Sequence, residues 1–412
     1  VNEGKPLSHG RWPALVAAFL GWMFVGFEMG LFPIVARPAL QSILGPDEGL
    51  VGRWNGWIVA LFLLGAAAGG VAFGWLGDRV GRVRALALSV VTYSVFTGAK
   101  YFATDAWHLG ALRFAASLGM GGEWSLGVAL VMECWPERLR PMLAGVIGAA
   151  ANVGFLLVAL IGALWPATRE SWRWMFLVGA APALLAGYVA AFVPESARWK
   201  AAVGRAASRP LREVFARGLR RTTLLAIVFA SIPLIGTWAA VSGWLPLWAN
   251  QLGGKEAPAA AAMTQVVVSV GAIIGCFFAP IIGGKIGRRP AYFGLCLLSL
   301  VFCGYQFRCL HAYDAQFLVL SGIVGCVTAA FYGWLPLYLP ELFPTRVRAT
   351  GQGLSFNFGR ILAAAGALQM GQLVGLFGGS YARAGATITL IYALGLVLIW
   401  FAPETKGKPL PE

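Results

Sequence analysis

Charge is scarce in this chain. Of its 412 residues only 12% are Asp, Glu, Lys or Arg, against roughly a quarter in a soluble domain, while 58% are hydrophobic and the mean hydropathy is +0.72. That composition excludes an ordinary water-soluble protein and points to a membrane protein. Histidine is scarcer still: His9, His108 and His311 each lie near the end of an apolar run, where a solvated or interfacial role is the default. The six cysteines (Cys134, Cys276, Cys296, Cys303, Cys309 and Cys326) form no Cys-x-x-Cys and have no histidine at ligand spacing. No disulfide framework, metal site or cofactor site is indicated. The chain also lacks a Gly-x-x-x-x-Gly-Lys-Ser loop and any soluble domain that could hydrolyse a nucleotide. No nucleophile with a paired base falls inside an apolar run, which argues against an intramembrane enzyme. Acidic residues number 17 against 32 basic ones, a formal net charge of +15. The excess sits in short loops between apolar runs and not on one soluble face, so the implied partner is the lipid bilayer and not nucleic acid.

What the chain does have is long apolar runs. A helix needs about 20 mostly apolar residues to cross a bilayer. Twelve runs reach that length, over residues 12–36, 52–75, 83–104, 107–134, 140–164, 172–193, 221–249, 259–283, 290–309, 314–339, 348–377 and 382–402. None alternates like a strand, and a segment in lipid must satisfy its own backbone groups, so the runs predict an all-α protein of twelve transmembrane helices. The first run is too long for a cleavable signal and continues into a span. Lysine and arginine collect on one side, before span one, after the even-numbered spans and in the segment Ala197 to Arg220. The positive-inside rule then predicts that both termini are cytoplasmic. Ala197 to Arg220 is basic with alanine and leucine interleaved. It reads as a cytoplasmic linker with a helix on an anionic membrane surface, joining six-helix bundles at 1–196 and 221–412.

The two bundles are related in sequence. Gly77-Asp78-Arg79-Val80-Gly81-Arg82 matches Gly283-Gly284-Lys285-Ile286-Gly287-Arg288 at a shift of 206 positions. Glu133, Pro136, Arg138, Arg140 and Gly145 return as Glu341, Pro344, Arg346, Arg348 and Gly353 at a shift of 208, and Pro194-Glu195-Ser196 returns as Pro403-Glu404-Thr405. Three anchors in one order predict two pseudo-symmetric halves, an arrangement that membrane transporters use.

Twelve spans in two parallel halves, with Gly74, Asp78, Arg79, Gly81 and Arg82 in a Gly-x-x-x-Asp-Arg-x-Gly-Arg pattern between spans two and three, resemble the major facilitator superfamily of secondary transporters. Within it, Arg113-Phe-Ala-Ala-Ser-Leu-Gly-Met-Gly-Gly-Glu123 is similar to a span-four pattern of proton symporters for organic acids, including aromatic-acid and sialic-acid transporters. Gly21-Trp-Met-Phe-Val-Gly-Phe-Glu28 resembles the span-one Gly-Tyr-x-x-Asp-Gly-Phe-Asp of that group, with Glu28 at the second acidic position and Val25 at the first. The resemblance implies the twelve-helix major facilitator fold in a plasma (inner) membrane, a monomer, and proton-coupled symport of a small organic anion by alternating access. A neutral-solute or sugar carrier, and a receptor or sensor that moves nothing, stay open as alternatives. Span five carries Gly145, Gly148, Asn152 and Gly154 without the Gly-Pro pair of many antiporters of the superfamily.

Ionisable groups inside spans cost a few kcal/mol or more and are functional candidates. Glu28, Glu123 and Arg360 fall near mid-membrane by residue count, and the resemblance places them around one central cavity. Arg360 is the candidate for a substrate carboxylate, since guanidinium stays charged and pairs bidentately. Asn357, one turn earlier, and the aromatics Trp124 and Tyr332 are its candidate helpers. Glu28 and Glu123 are candidate proton carriers, because burial favours the neutral acid and a nearby arginine the anion. A permanent ion pair with Arg360 is the competing reading of either acid. Arg113 lies on a different face from Glu123, and substrate passage and packing remain open for it. Asp78, Arg79, Arg82, Glu133, Arg138 and Arg140 are the expected cytoplasmic gate, and the resemblance implies that Asp78, at a helix start that favours an aspartate, meets an arginine of the neighbouring loop. Gly284 replaces that aspartate in the second half, so the two gates are expected to be unequal.

Overall fold

A computed structural model of the chain describes residues 10–165, 167–203, 209–254, 259–368 and 375–412. Twelve helical spans follow one another. The first six are span one (Arg11–Leu44), two (Glu48–Val80), three (Arg82–Ala99), four (Ala106–Cys134), five (Arg140–Leu164) and six (Trp172–Phe192). Span seven runs as an α-helix over Arg220–Pro233, a π-helix over Leu234–Trp244 and an α-helix over Leu245–Gly253. The rest are eight (Ala260–Ile286), nine (Arg288–Cys309), ten (Ala315–Leu342), eleven (Arg348–Leu368) and twelve (Tyr381–Phe401).

Ten helices among the described residues are by themselves long and apolar enough to cross a membrane. Spans three and eleven fall short for a reason that matters later. Span three begins with Arg82 and Arg84, and span eleven buries Arg348, Gln352, Asn357 and Arg360. Arg84 is exposed at the helix end, whereas Arg82, Arg348 and Arg360 are tolerated because they face protein and not lipid.

Capping repeats with the sequence. The Asp105 carboxylate accepts from His108 N at 2.7 Å at the start of span four, and Asp314 accepts from Phe317 N at 2.8 Å at the start of span ten. Each cap satisfies a donor that a helix end leaves open, worth about 1 kcal/mol. Within the halves, span two packs on four and span eight on ten; between them, span two packs on eleven and span eight on five. Two and eight, and five and eleven, thus exchange under the pseudo-symmetry.

The linker departs from the surface-anchor expectation. Helices Ala197–Val203 and Pro210–Val214 tuck beneath the bundles against the loop that precedes span eleven. Val214 is fully buried, the Trp199 indole donates to Asp78 O at 2.9 Å, and Glu213 pairs with Arg346 at 2.6 Å. Residues 204–208 of the linker lie outside the described residues. The face that holds Gly10, the linker and Pro411 is termed the near face below, and the opposite one the far face.

Candidate functional site: a central cavity and its near-face latch

A cavity of about 530 Å³ lies between the bundles, lined mainly by spans one, five, seven, eight, ten and eleven, with Val59 of span two and Ile388 of span twelve at its wall. Aromatic groups supply much of its wall: Trp22, Phe155, Trp244, Tyr332 and Phe356. Neutral hydrogen-bonding groups are spread among them, from Asn152, Thr237, Gln265, Ser269 and Thr328. The π-helical part of span seven contributes Leu234, Thr237 and Trp244; a π-helix is uncommon and tends to occur where function needs it.

Arg360 is the one charged side chain among the described lining residues. It is 3% exposed, and its Nε and one terminal nitrogen make no hydrogen bond. No carboxylate among the described residues lies within ion-pair distance, so the competing reading, a pair with Glu28 or Glu123, finds no support in this state. The guanidinium carbon stands 5.9 Å from the centre of the Phe62 ring, and the Tyr332 hydroxyl donates to Pro233 O at 3.3 Å. A buried cation without an anion is costly, and a ligand that brings one negative charge removes that cost.

Two of the expected substrate contacts do not reach the cavity. The Asn357 amide donates to Gly121 O of span four at 3.0 Å and to Gly353 O at 2.9 Å, which makes it a tie between span eleven and span four. Trp124 stacks on Phe356 at 3.9 Å between centroids, and Phe356, not Trp124, lines the wall. Trp22 meets both of them edge-on.

The two acids part company. Glu28 sits in a buried cluster. Lys100, just beyond span three, donates to Glu28 Oε1 at 2.6 Å, Arg113 of span four pairs with the same oxygen, and the Thr97 hydroxyl is 3.3 Å from it. Arg113 therefore holds Glu28, a partner its placement on span four did not suggest. Glu123 instead has no hydrogen bond to either carboxylate oxygen and is 2% exposed. It fits against Gly21 of span one, where an added Cβ would stand 1.8 Å from Glu123 Oε1. A carboxyl in such a seat costs much more as an anion than as the neutral acid.

At the near face a latch joins the halves. Asp78 lies in the last turn of span two and not at a helix start. Its carboxylate accepts from Ala349 N at 3.2 Å, Thr350 N at 2.8 Å and the Thr350 hydroxyl at 2.6 Å, so the helix N-terminus it caps belongs to span eleven. Arg82, one turn on, pairs with Asp78 at 2.7 Å and Glu133 at 3.2 Å and donates to Thr345 O at 2.6 Å. Glu133 also pairs with Arg348 across the halves at 2.8 Å and accepts from Ser196 at 2.5 Å. Three expected members stand outside. Arg79 is exposed over the Trp75 ring, Arg138 is exposed, and Arg140 turns back onto Met132 O and Glu137. Arg79 and Arg138 lie on the solvent side of their turns, and Arg140 is buried but spends its donors within its own half, which spacing alone does not distinguish.

The second half repeats the frame without the latch. Arg288 pairs with Glu341, and Glu404 accepts from Arg288 N and Arg289 N as Glu195 does from Arg82 N and Val83 N. Gly81 and Gly287 turn at φ 114° and 112°, a conformation that favours glycine. At the latch itself, Gly284 stands for Asp78 and Pro141 for Ala349. The acceptor and one donor are missing together.

Lys100, Phe62 and Arg348 escaped the sequence reading. The signal for Lys100 was available, since a lysine in an apolar run is as anomalous as Glu28; Arg348 is the repeat partner of Arg140.

Twelve helices in two pseudo-symmetric bundles around a cavity with one unpaired cation define a membrane transporter, not an enzyme. The family model described as Major Facilitator Superfamily matches residues 14–367, and the chain belongs to that family. It is 31% identical, over 95% of its length and 90% of the relative, to a probable 4-methylmuconolactone transporter of Cupriavidus pinatubonensis. It is 27% identical, over 99% of its length and 98% of the relative, to the cis,cis-muconate transport protein of Acinetobacter baylyi. Among solved structures, the proton:xylose symporter XylE superposes with a TM-score of 0.79 at 19% identity, covering 98% of each chain.

Proposed function

We propose that this chain carries a small organic anion together with protons, by alternating exposure of the central cavity as bundles 1–196 and 221–412 rock against each other. The observation that carries this reading is Arg360, a buried cation in the cavity wall without a counter-charge. A substrate carboxylate supplies that charge at the guanidinium, while the ring-shaped walls of Trp22, Tyr332 and Phe356 accept a planar or unsaturated body. The names of the relatives, carriers of muconate and of a muconolactone, support an organic acid.

Of the two acids, Glu123 suits proton carriage better. It has no cation to hold it charged, whereas loss of charge at Glu28 would leave Lys100 and Arg113 facing each other. With the basic near face in the cytoplasm of a bacterial-type inner membrane, the closed latch makes this the outward-facing state. A monomer suffices for the cycle.

The test is equilibrium binding of carboxylates to purified protein. Arg360→Ala is expected to lose carboxylate binding by about a hundredfold, the scale of a buried charge-assisted pair, and unchanged affinity would refute the assignment. The neutral lining of Asn152, Gln265 and Ser269 favours a second reading, a hydroxylated neutral solute. Binding of such a solute that survives Arg360→Ala would select it, and binding without flux in liposomes would select a receptor.

A further inference from the structure

The cluster around Glu28 holds more positive than negative charge. Lys100 and Arg113 meet the same carboxylate oxygen, and all three side chains are at most 3% exposed. One anion faces two cations, which leaves one uncompensated positive charge inside the first bundle. The cluster is also close to the cavity. The Arg113 guanidinium carbon is 4.4 Å from the centre of the Phe62 ring, and that of Arg360 is 5.9 Å from the same centre. The two guanidinium carbons therefore lie within about 10 Å of each other, a range at which charges in a protein interior interact strongly. Phe62 is 3% exposed and Phe32 covers Arg113 from another side, so salt screens little between them.

We propose that the Glu28–Lys100–Arg113 cluster is a remote determinant of anion affinity: its uncompensated charge, acting past Phe62, strengthens the binding of a carboxylate at Arg360 without touching it. Lys100 is then a positioning residue in the electrostatic sense, setting the net charge of the cluster. The inference rests on Arg360 holding the anion, as proposed above. The competing role is a staple that fixes spans one, three and four. The two roles differ in sign. A staple weakens whenever a member is removed, whereas an electrostatic source follows the charge count.

Lys100→Met keeps most of the length of the side chain and brings the cluster to zero charge, leaving Glu28 paired with Arg113. It is expected to weaken carboxylate binding about threefold to tenfold, the effect of removing one buried charge from a cluster whose Arg113 lies within about 10 Å of Arg360. The double variant Glu28→Gln with Lys100→Met leaves Arg113 alone, with the wild-type charge, and is expected to bind carboxylate within about twofold of wild type. Glu28→Gln alone adds a charge and tightens binding; should it fail to fold, the other two variants carry the comparison.

The experiment is calorimetric titration of the purified full chain with benzoate, nicotinate, gentisate and cis,cis-muconate, and with the neutral benzamide and nicotinamide. Unfolding temperatures are measured alongside. Weakening in Lys100→Met that is restored in the double variant, confined to the acids and persistent at high salt, supports the proposal. Progressive weakening from single to double variant, or equal loss for acids and amides, overturns it in favour of the staple. If affinity does not depend on Arg360, or none of the four acids binds wild-type protein, the carboxylate reading itself fails, and the inference with it.

Discussion

Asp78 and Thr350 are joined twice across the two bundles, by the Thr350 amide at 2.8 Å and its hydroxyl at 2.6 Å. The carboxylate lies in the last turn of one helix and the donors in the first turn of another, so opposite helix-end charges meet where the near face closes. A charge-assisted bond of this kind is worth about 1.5–3 kcal/mol. Asp78→Asn removes the charge and one of the acceptor oxygens, and is expected to shift the closed-to-open balance of the near face about tenfold. Maleimide labelling of a cysteine placed at Ile34, on the far half of the cavity wall, reads this in a cysteine-free background. Labelling is expected to slow in Asp78→Asn, and an unchanged rate would mean that the latch does not set the balance.

The asymmetry of the repeat gives a second expectation. An added Cβ at Gly284 stands 2.9 Å from the Pro141 ring, and proline has no N–H to offer a carboxylate. Gly284→Asp alone is therefore expected to destabilise the protein without strengthening closure. Combined with Pro141→Ala, which restores a donor, the same aspartate is expected to add a second latch and slow turnover at least severalfold. Equal behaviour of the single and double variants in a transport assay would contradict the pairing of Gly284 with Pro141.

Gly21 tests the seat of Glu123. A methyl group there overlaps the carboxyl oxygen, so Gly21→Ala must move Glu123 or part spans one and four. Overpacking of this kind costs about 1–3 kcal/mol. The unfolding temperature is expected to fall modestly, while substrate-driven proton movement drops to the level of Glu123→Gln. Wild-type proton movement in Gly21→Ala would show that the position of this carboxyl does not matter.

The fold was legible because its constraints are one-dimensional. Run length and the repeated Gly77–Arg82, Glu133 and Glu195 anchors give the helices and the two related halves without any knowledge of rotation. Arg360, Glu28 and Glu123 stood out for the same reason, as charges in apolar runs. What sequence could not supply was the angle of each helix about its axis. Span four is buried at every residue from Gly119 to Glu133, so no polar stripe tells that Trp124 points behind Phe356 or that Arg113 points at Glu28. Arg79 and Arg138 fall outside the near-face network that holds Asp78 and Arg82, because adjacency in sequence does not reveal which side of a turn faces the partner bundle. The partners of Glu28 and Asp78 come from other helices, where spacing carries no information.

Glu404 lies outside the spans and gives a prediction in pH. Burial pushes its carboxyl up, but backbone N–H bonds from Arg288, Arg289, Lys406 and Thr405 outweigh burial and hold it below the usual carboxylate range. A lowered folded-state value contributes stability that is present above the unfolded value and lost as pH falls through the folded one. The gap in unfolding temperature between wild type and Glu404→Gln is therefore expected to be full near neutrality and to close below about pH 4.3, the ordinary value of a glutamate. A gap independent of pH would mean that charge at Glu404 contributes nothing.

The central claim is that one carboxylate neutralises Arg360 while a proton travels on Glu123. Proton movement on purified protein in liposomes tests it most directly, with a pH-sensitive dye outside and the panel of acids added in turn to wild type, Arg360→Ala and Glu123→Gln. The account predicts external alkalinisation with at least one acid, abolished in both variants, with acid binding lost in Arg360→Ala and retained in Glu123→Gln. Alkalinisation that persists in either variant, or acid flux in wild type without any proton movement, would contradict it.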